Sequence, residues 1–496
     1  MLWPSQLYTA SQCRELDRLA IASGIDGYEL MCRAGRAAFN VLLRQWSLPE
    51  HIHIVCGTGN NGGDGLVIAR LARERGLKAT VYLCGSRDAI KNEAQKALFD
   101  ADAAGVEIQV FAGQPVPVNG VMVDAFLGTG LQGSVRADAA RAIEWINSAR
   151  LPVLAVDIPS GLCADSGCVL GAAVEADKTI TFIAAKRGLF TGEGSHYSGQ
   201  VLLDDLSVPP SLFAQVGETV AHYTLHELLG YLPKRPRNAH KGMYGHVLVV
   251  GGNYGMAGAA MMAGESAARA GAGLTSIATQ PEHVSAMLAR HPEIMVHGVV
   301  SGQELDPLLE KPTVIVIGPG LGQTPWSEQM LQKVMDTGLP LVLDADALNI
   351  ISSQRMFPGI RRDNWVLTPH PGEAARLLNC TTTQVNNNRF AAVRALQEQY
   401  GGTVVLKGAG SLVCSAEGTI LCSYGNPGMA SGGMGDLLSG LIAGLAAQKI
   451  SLQRAATLAV ALHARAADQV VASSGECGLL ATDLLDDIRY LLNGKT

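Results

Sequence analysis

The chain has 496 residues, of which 48% are hydrophobic and 17% charged, and its net charge is -6. This length exceeds what one hydrophobic core usually organises, so two or more domains are expected. No block of lysine and arginine is present to attract nucleic acid. The ten cysteines are scattered and contain no C-x-x-C pair, which favours reduced thiols over a zinc site.

The first residues lack the basic and apolar segments of a signal peptide. No apolar run reaches the roughly 18 residues that are needed to span a bilayer. The sequence therefore predicts a cytoplasmic protein with small-molecule ligands and with neither a membrane nor a nucleic acid as partner.

Short β-branched runs alternate with helix-length amphipathic segments, which is the pattern of βαβ units. In the first half, the predicted buried strands are 51–56, 79–83, 121–124, 153–157 and 179–183. The alternation restarts in the second half, where the predicted strands are 246–250, 274–279, 313–317, 341–344, 365–367 and 404–407. An α/β fold with two parallel sheets is therefore expected.

The break between the two halves lies in residues 232–238, which concentrate proline and charge without periodicity. An exposed interdomain linker has this composition. We therefore predict a first domain over residues 1–220, a linker over 221–240 and a second domain over 241–496.

In the second half, a glycine-rich turn at 432–436 leads into an apolar stripe at helical spacing. Backbone N–H groups at such a helix start attract phosphate, and glycine lets the anion approach the main chain. Because like charges repel, Asp436 suits a base that takes a proton from a hydroxyl attacking that phosphate. Taken alone, the motif equally allows Asp436 to be an ordinary helix N-cap.

Three further loops, 318–322, 368–373 and 407–411, follow predicted strands in this half. The carboxyl ends of parallel strands meet at one edge of a sheet, so these loops can converge on one crevice with Asp436. Each loop alone is weak evidence, and His370 could merely satisfy the hydrogen bonds of its loop. Their joint occurrence predicts a nucleotide site.

With Gly251-Gly252 and residues 257–259, these motifs make residues 241–496 resemble the ribokinase-like family of NAD(P)H-hydrate dehydratases. The resemblance implies ADP-dependent dehydration with Mg²⁺ accompanying ADP, and Asp436 as the catalytic base in contact with the substrate. The other implied substrate contacts are Ala259, Gly322 and His370. The implied ADP contacts are Lys407, Gly408, Ala409, Gly410, Ser411 and Gly435.

The chemistry of the substrate fits a kinase-like site, because hydroxide is a poor leaving group and phosphate is a good one. The hydroxyl on the nicotinamide ring would accept a phosphoryl group from ADP, which leaves AMP. The ring nitrogen would then expel phosphate. A vitamin or sugar kinase is the strongest alternative, since it shares the glycine turn and the base. Such a kinase would release a stable phosphorylated alcohol.

In the first half, strand 51–56 runs into a loop with the sequence Gly-Thr-Gly-Asn-Asn-Gly-Gly-Asp at 57–64. The glycine spacing echoes a dinucleotide fingerprint, but no acidic residue follows the next strand, which disfavours a simple NAD-dependent dehydrogenase. Amide and carboxylate oxygens suit a hard cation, although asparagines that only cap turns are a plain alternative. Two further loops begin at Asp124 and Asp157, again after predicted strands.

This combination makes residues 11–208 resemble the NAD(P)H-hydrate epimerase family, with a Rossmann-like three-layer αβα fold. The resemblance implies K⁺ held by Asn61, Asp124 and Ser160, and Asp157 as the acid/base that inverts the hydroxyl-bearing carbon. Lys186 is a weaker candidate for this role and could equally be a solvated loop charge. The implied substrate contacts are Asn60, Asn61, Gly62, Gly63, Asp64, Gly128, Thr129, Gly130, Leu131, Gln132, Gly133, Ser134 and Asp157.

Together, the two resemblances imply a bifunctional NAD(P)H-hydrate repair enzyme. Its substrates would be NADHX and NADPHX, the hydrates of NADH and NADPH, together with ADP. The epimerase would interconvert the R and S hydrates, and the dehydratase would consume the S hydrate. Family resemblance also points to a homo-oligomer. A non-catalytic N-terminal domain that binds ligands in the presence of K⁺ is an alternative from a different class.

Overall fold

The computed structural model describes residues 3–131 and 133–494. The chain divides between His222 and Tyr223 into two units, here called the N-terminal and C-terminal units. Each unit has its own hydrophobic core. Among the residues described, we find no helix with the length and apolar character needed to cross a membrane.

The N-terminal unit is organised around a parallel sheet. Its strands are β1 (Gln6–Tyr8), β2 (Ile52–Cys56), β3 (Ala79–Leu83), β4 (Glu107–Val110), β5 (Val121–Ala125), β6 (Val153–Val156), β7 (Lys178–Phe182), β8 (Ala185–Lys186), β9 (Gln200–Asp204) and β10 (Val220–Ala221). Seven strands form the sheet in the order β4-β3-β2-β5-β6-β7-β9, and every pair in it is parallel. Separately, β1 pairs with β8 and β10.

Helices cover both faces of this sheet. They are α1 (Ala10–Ala22), α2 (Gly27–Gln45), α3 (Asn60–Glu74), α4 (Asn92–Ala103), α5 (Ala137–Ser148) and α6 (Gly194–Tyr197). Because side chains alternate along a strand, Ile52 and Ile54 pack with α2, α3 and α4, whereas Val55 packs with α5. The predicted three-layer αβα fold is therefore confirmed.

The C-terminal unit contains a larger mixed sheet. Its strands are β11 (His246–Val250), β12 (Leu274–Thr279), β13 (Met295–Gly298), β14 (Val314–Ile317), β15 (Leu341–Leu343), β16 (Trp365–Leu367), β17 (Thr403–Leu406), β18 (Ser411–Ser415) and β19 (Gly418–Cys422). They lie in the order β13-β12-β11-β14-β15-β16-β17-β18-β19. The pairs from β13 to β17 are parallel, and β17, β18 and β19 are antiparallel.

Helices again pack on both faces. They are α7 (Leu225–Leu229), α8 (Ala257–Arg269), α9 (Val284–Arg290), α10 (Gly302–Leu305), α11 (Pro325–Met335), α12 (Ala345–Ser352), α13 (Pro371–Leu377), α14 (Thr382–Asn387), α15 (Arg389–Tyr400), α16 (Met434–Ala446), α17 (Leu452–Ser474) and α18 (Leu484–Leu492). On one face, Val314 and Val316 join the core formed with α8, α16 and α17, while Ile315 and Ile317 are buried on the other face.

The strands predicted from the sequence are present, most of them within one residue of the predicted bounds. The strands that the sequence did not predict include β4 and β13, which lie at the sheet edges and are half exposed. Within the interval predicted as a linker, the structure has α7, whose start is fixed by a capping box between Thr224 and Glu227. Residues 233–238 are mostly exposed and have no regular secondary structure.

Candidate active sites

The first candidate site is a cleft of about 1700 Å³ in the N-terminal unit, at the carboxyl ends of its strands. β3 and β5 lie on opposite sides of β2, and parallel sheets bind ligands where the strand order reverses in this way. Most of the predicted substrate contacts line the cleft: Asn60, Asn61, Asp64, Gly128, Thr129, Gly130, Leu131, Ser134 and Asp157.

Three predicted contacts lie elsewhere. Among the described residues, Gly62, Gly63 and Gly133 do not line the cleft. Gly62 and Gly63 are buried in α3, where a Cβ would stand 2.0 Å from the Gly57 carbonyl oxygen and 2.6 Å from the Met31 methyl carbon. These glycines therefore allow close packing beneath the site. Gln132 lies outside the described residues.

Asp157 and Lys186 form a buried ion pair at the cleft. The Lys186 ammonium donates to the Asp157 carboxylate, to Thr181 Oγ1 at 3.0 Å and to the Phe182 carbonyl oxygen at 3.1 Å. The Lys186 side chain is only 3% exposed, so its interpretation as a solvated loop charge is wrong. Burial by itself would lower the pKa of Lys186, but Asp157 and Cys13 raise it above its usual value. Lys186 is therefore a cation that faces a carboxylate.

Two residues of α1, Cys13 and Asp17, join this site without having been predicted. They are four residues apart and so lie on one helix face. The Asp17 side chain lines the cleft. Desolvation raises its pKa to about 6, and the negative charge of Asp157 adds to this rise. Burial raises the pKa of Asp64 well above its usual value as well, and the charges of Asp157 and Asp17 add to this effect. The cleft therefore gathers carboxyl groups around one lysine.

The predicted cation ligands surround the loop that follows β5. The Asp124 carboxylate is fully buried and accepts from Ser160 Oγ at 2.6 Å and from Ser160 N at 2.7 Å. Burial raises the pKa of Asp124 to about 6, and the hydrogen bonds from Ser160 oppose this shift. The Asn61 side chain packs on Gly128 in the same loop. Both polar atoms of its amide are buried without a hydrogen-bond partner among the described residues.

The second candidate site lies at the carboxyl ends of four adjacent strands, β14 to β17, in the C-terminal unit. Helix α16 begins there at an N-cap formed by Gly433, whose φ of 91° is in the left-handed region that favours glycine. Asp436 lies in the first turn of the helix. The alternative that Asp436 is the N-cap is therefore wrong.

A buried charge cluster lies against this first turn. The Lys407 ammonium is 2.8 Å from Asp344 Oδ1 and 3.8 Å from Glu373 Oε2. A Cβ on Gly435 would be 3.2 Å from the same ammonium nitrogen, so the lysine reaches the helix backbone. Burial would lower the pKa of Lys407, but Asp344, Glu373 and Asp436 raise it overall. Asp344 was predicted only as the last residue of a strand. An acidic side chain at the carboxyl end of a strand was the sequence feature that could have identified it as a site residue.

The environment of Asp436 gives it the properties of a base. Burial raises its pKa to about 7, and the negative charge of Asp344 contributes in the same direction. The positive charge of Lys407 opposes the shift, while Asp346 and Glu373 add to it. A carboxylate with a pKa near 7 can accept a proton efficiently at neutral pH.

His370 caps α13 and also faces the site. Its ring Nδ1 accepts from Gly372 N at 3.0 Å, and its backbone N–H donates to Glu373 Oε2 at 2.7 Å. Burial and the charge of Lys407 lower the pKa of the half-exposed ring, which is therefore neutral near pH 7. Glu373 lies between His370 and Lys407, 3.4 Å from the His370 ring and 3.8 Å from the Lys407 ammonium.

The remaining predicted substrate contacts lie on the loop after β14. Gly322 N donates to Asp346 Oδ2 at 2.8 Å, which ties this loop to the first turn of α12. A Cβ on Gly320 would be 3.1 Å from Ala259 Cβ, so Ala259 and this loop are neighbours. The predicted ADP contacts Lys407 to Ser411 form the connection between β17 and β18.

Comparisons with known proteins identify a family for each half of the chain. Residues 247–489 match the family described as NAD(P)H-hydrate dehydratase, and residues 27–188 match the family described as YjeF-related protein N-terminus. The bifunctional NAD(P)H-hydrate repair enzyme of Coxiella burnetii is 50% identical over 489 residues, which cover 98% of this chain and 99% of that protein. The enzyme of the same description from Escherichia coli is 40% identical and covers 99% of this chain and 94% of its own length.

A solved structure is similar to the C-terminal unit. It is an ADP/ATP-dependent NAD(P)H-hydrate dehydratase from Bacillus subtilis, co-crystallised with ATP and Mg²⁺. It is 29% identical with a TM-score of 0.51, and the match covers 56% of this chain and 99% of that one.

Fold, sites and comparisons together define an enzyme made of a Rossmann-like α/β domain followed by a ribokinase-like α/β domain. The chain belongs to the family of bifunctional NAD(P)H-hydrate repair enzymes. The resemblance seen in the sequence is thereby confirmed.

Proposed function

We propose that the chain restores hydrated NADH and NADPH in two steps. The N-terminal unit interconverts the R and S hydrates, and the C-terminal unit converts the S hydrate and ADP into NAD(P)H, AMP and phosphate. The observation that carries this proposal is Asp436, a carboxyl group with a pKa of about 7 in the first turn of α16 beside the Lys407 ammonium.

In the epimerase step, Asp157 is the proposed acid/base. The hydroxyl-bearing carbon is bonded to the ring nitrogen, so when the hydroxyl loses its proton the C–N bond can break, with its electron pair and a proton going to nitrogen. The hydroxyl-bearing carbon thereby becomes an aldehyde. Reclosure on the opposite face of the aldehyde returns the proton and inverts the carbon. Asp157 is suited to carry this proton because it faces the cleft, and the buried Lys186 ammonium holds it in place.

We propose that Asn61, Asp124 and Ser160 hold K⁺ near this step. The Asn61 amide, which has no hydrogen-bond partner in the described part of the chain, and the buried Asp124 carboxylate offer the oxygen ligands that a hard cation prefers. Bound K⁺ would neutralise negative charge in a cleft that is rich in carboxyl groups. The substrate contacts proposed around it are those of the loops 60–64 and 128–134.

In the dehydratase step, Asp436 takes the proton of the ring hydroxyl while the hydroxyl oxygen attacks the terminal phosphorus of ADP. The bond between that phosphorus and AMP breaks, and the ring nitrogen lone pair then expels phosphate and leaves an iminium. Loss of a proton from the ring carbon next to the one that carried the hydroxyl restores the dihydropyridine. The α16 N-terminus and Lys407 stabilise the charge on the transferring group. Mg²⁺ bound with ADP would neutralise further phosphate charge.

The proposed substrate contacts of this unit are Ala259, Gly322 and His370, and the proposed ADP contacts are Gly435 and the loop 407–411. Ala259 and Gly322 lie on neighbouring segments, and His370 is joined to Lys407 through Glu373. These neighbouring positions support the proposal that the two ligands bind in one crevice at this edge of the sheet.

The test is an absorbance assay with hydrated NADH and ADP, ATP or neither. Return of the dihydronicotinamide absorbance with ADP is expected. A stable phosphorylated product without that absorbance would show a kinase and overturn the proposal. Epimer exchange without ADP tests the N-terminal unit separately, and its absence would leave this unit as a binding scaffold. The homo-oligomer and the cytoplasmic location stay predictions.

A further inference from the structure

One buried arginine organises the loop proposed to bind ADP. Arg389 is the first residue of α15 and is only 3% exposed. Its Nη2 donates to the carbonyl oxygens of Leu406 at 3.3 Å, Lys407 at 3.2 Å and Gly410 at 3.4 Å. The guanidinium thus contacts both ends of the turn between β17 and β18. It was not predicted as a functional residue.

The turn between β17 and β18 packs closely around the Arg389 guanidinium. Gly408 has a φ of 133°, and a Cβ at this position would be 3.0 Å from Arg389 Nη1. Ser411 Oγ closes the turn by donating to the Gly408 carbonyl oxygen at 3.0 Å. Glycine at 408 therefore leaves room for the guanidinium, and the backbone wraps closely around it.

These contacts also fix Lys407. Its N–H donates to the Pro369 carbonyl oxygen at 2.9 Å, its carbonyl oxygen accepts from Arg389, and its ammonium donates to Asp344. A guanidinium holds its donors in a rigid planar fork, whereas an ammonium is a compact charge on a flexible chain, so lysine fixes the carbonyl groups less precisely. The arginine therefore sets the peptide planes of the loop and the course of the lysine side chain.

We propose that Arg389 is a positioning residue for the nucleotide, which holds the backbone of residues 407–411 in the shape that binds ADP. This inference rests on the proposed role of that loop. Binding energy depends on such preorganisation, because a loop that must be ordered on binding weakens affinity. Arg389 acts through the backbone and is not expected to touch the substrate.

The test compares Arg389→Lys with a matched control, Arg362→Lys, in the full chain. Arg362 also donates to three carbonyl oxygens, those of Met335, Thr337 and Leu339, in the segment that precedes β15. This segment lies at the amino end of the strand, away from the proposed site. The control thus removes the same kind of interaction where no nucleotide is expected.

For Arg389→Lys, we expect the Kd of ADP in calorimetry and the KM for ADP to rise at least about tenfold, because small misplacements of binding groups are costly. The KM for the hydrate should change less than about twofold, and the Arg362→Lys values should match the unsubstituted chain. Amide hydrogens of residues 408–411 should exchange faster only in Arg389→Lys.

An unchanged Kd for ADP in Arg389→Lys, or an equal change in both variants, would overturn the inference. If Arg389→Lys does not fold, Gly408→Ala tests the same contact from the loop side and should raise the Kd in the same way. If the unsubstituted chain dehydrates with ADP and Arg389→Lys binds ADP equally well, only the role of Arg389 is refuted. An unsubstituted chain that neither binds ADP nor dehydrates refutes the proposed function and the inference with it.

Discussion

Ionisation of Asp436 should control the pH dependence of dehydration. The pKa of Asp436 is about 7, so at pH 6 only roughly one tenth of the molecules carry an ionised Asp436. Each further pH unit lowers this ionised fraction about tenfold. The kcat/KM for the hydrate should therefore fall about tenfold per pH unit on the acid side of neutrality. An ordinary aspartate, ionised from about pH 4, would give a flat profile there.

Two substitutions should move this acid limb in opposite directions. Lys407→Met removes the positive charge that lowers the pKa of Asp436, so the limb should move to higher pH. Asp344→Asn removes a negative charge that raises this pKa, so the limb should move to lower pH. The other carboxyl groups that affect Asp436, Asp346 and Glu373, remain in both variants.

The assay is the return of dihydronicotinamide absorbance at saturating ADP, measured for the three proteins across the same buffers. Saturation with ADP separates effects on ionisation from effects on nucleotide affinity. An acid limb near pH 4 in the unsubstituted chain, or limbs that move in the same direction in both variants, would refute the assignment of Asp436 as the titrating base.

The remaining predictions concern Asp436 itself and the N-terminal unit. Asp436→Asn should lower ADP-dependent dehydration about 100-fold or more, and near-normal activity would contradict the proposal. Because the folded-state pKa lies above the ordinary value of 3.8, ionisation costs stability as the pH rises from there through about 7. Asp436→Asn should therefore raise the melting temperature more at pH 8 than at pH 5, and an increment independent of pH would argue against the shift. Asp157→Ala should abolish exchange of R and S hydrates measured without ADP by chromatography, and a normal rate would rule out this acid/base. Asp177→Asn should preserve the exchange, because the Asp177 carboxylate accepts from Val153 N at the amino end of β6, away from the cleft. The melting temperature is expected to be higher in K⁺ than in Na⁺, and Asn61→Ala should lose this difference. Asn147→Ala should retain it, because the Asn147 side-chain amide is hydrogen-bonded to the backbone of Ala173 and Glu175. A K⁺ response that survives in Asn61→Ala would remove this residue from the cation site.

The sequence by itself determined the α/β class and indicated the strand ends at which both candidate sites lie. Buried strands such as Ala79–Leu83 and His246–Val250 are continuous apolar or β-branched runs, and their bounds were predicted correctly. Polar and glycine-rich loops that follow such strands must lie at one edge of a parallel sheet. The sites could therefore be located before any contact was known.

The tertiary structure decided which elements complete the sheets. β4 and β13 are edge strands with exposed and half-exposed residues, so neither has the buried apolar run by which a central strand is recognised. The sequence likewise did not distinguish glycines that face a ligand from glycines that allow packing, as at Gly62 and Gly63. That distinction depends on which atoms from distant segments approach the missing side chain.

The ion pairs and the pKa values of the site residues were likewise decided by the tertiary structure alone. From the sequence, Lys186 could be a weaker acid/base candidate or a solvated loop charge, but folding buries it against Asp157, 29 residues earlier. Lys407 contacts Asp344 across 63 residues, and these two charges shift the pKa of Asp436 in opposite directions while burial raises it. A pKa depends on burial and on charges within a few ångströms, and these are fixed by the packing of strand ends and not by neighbours along the chain.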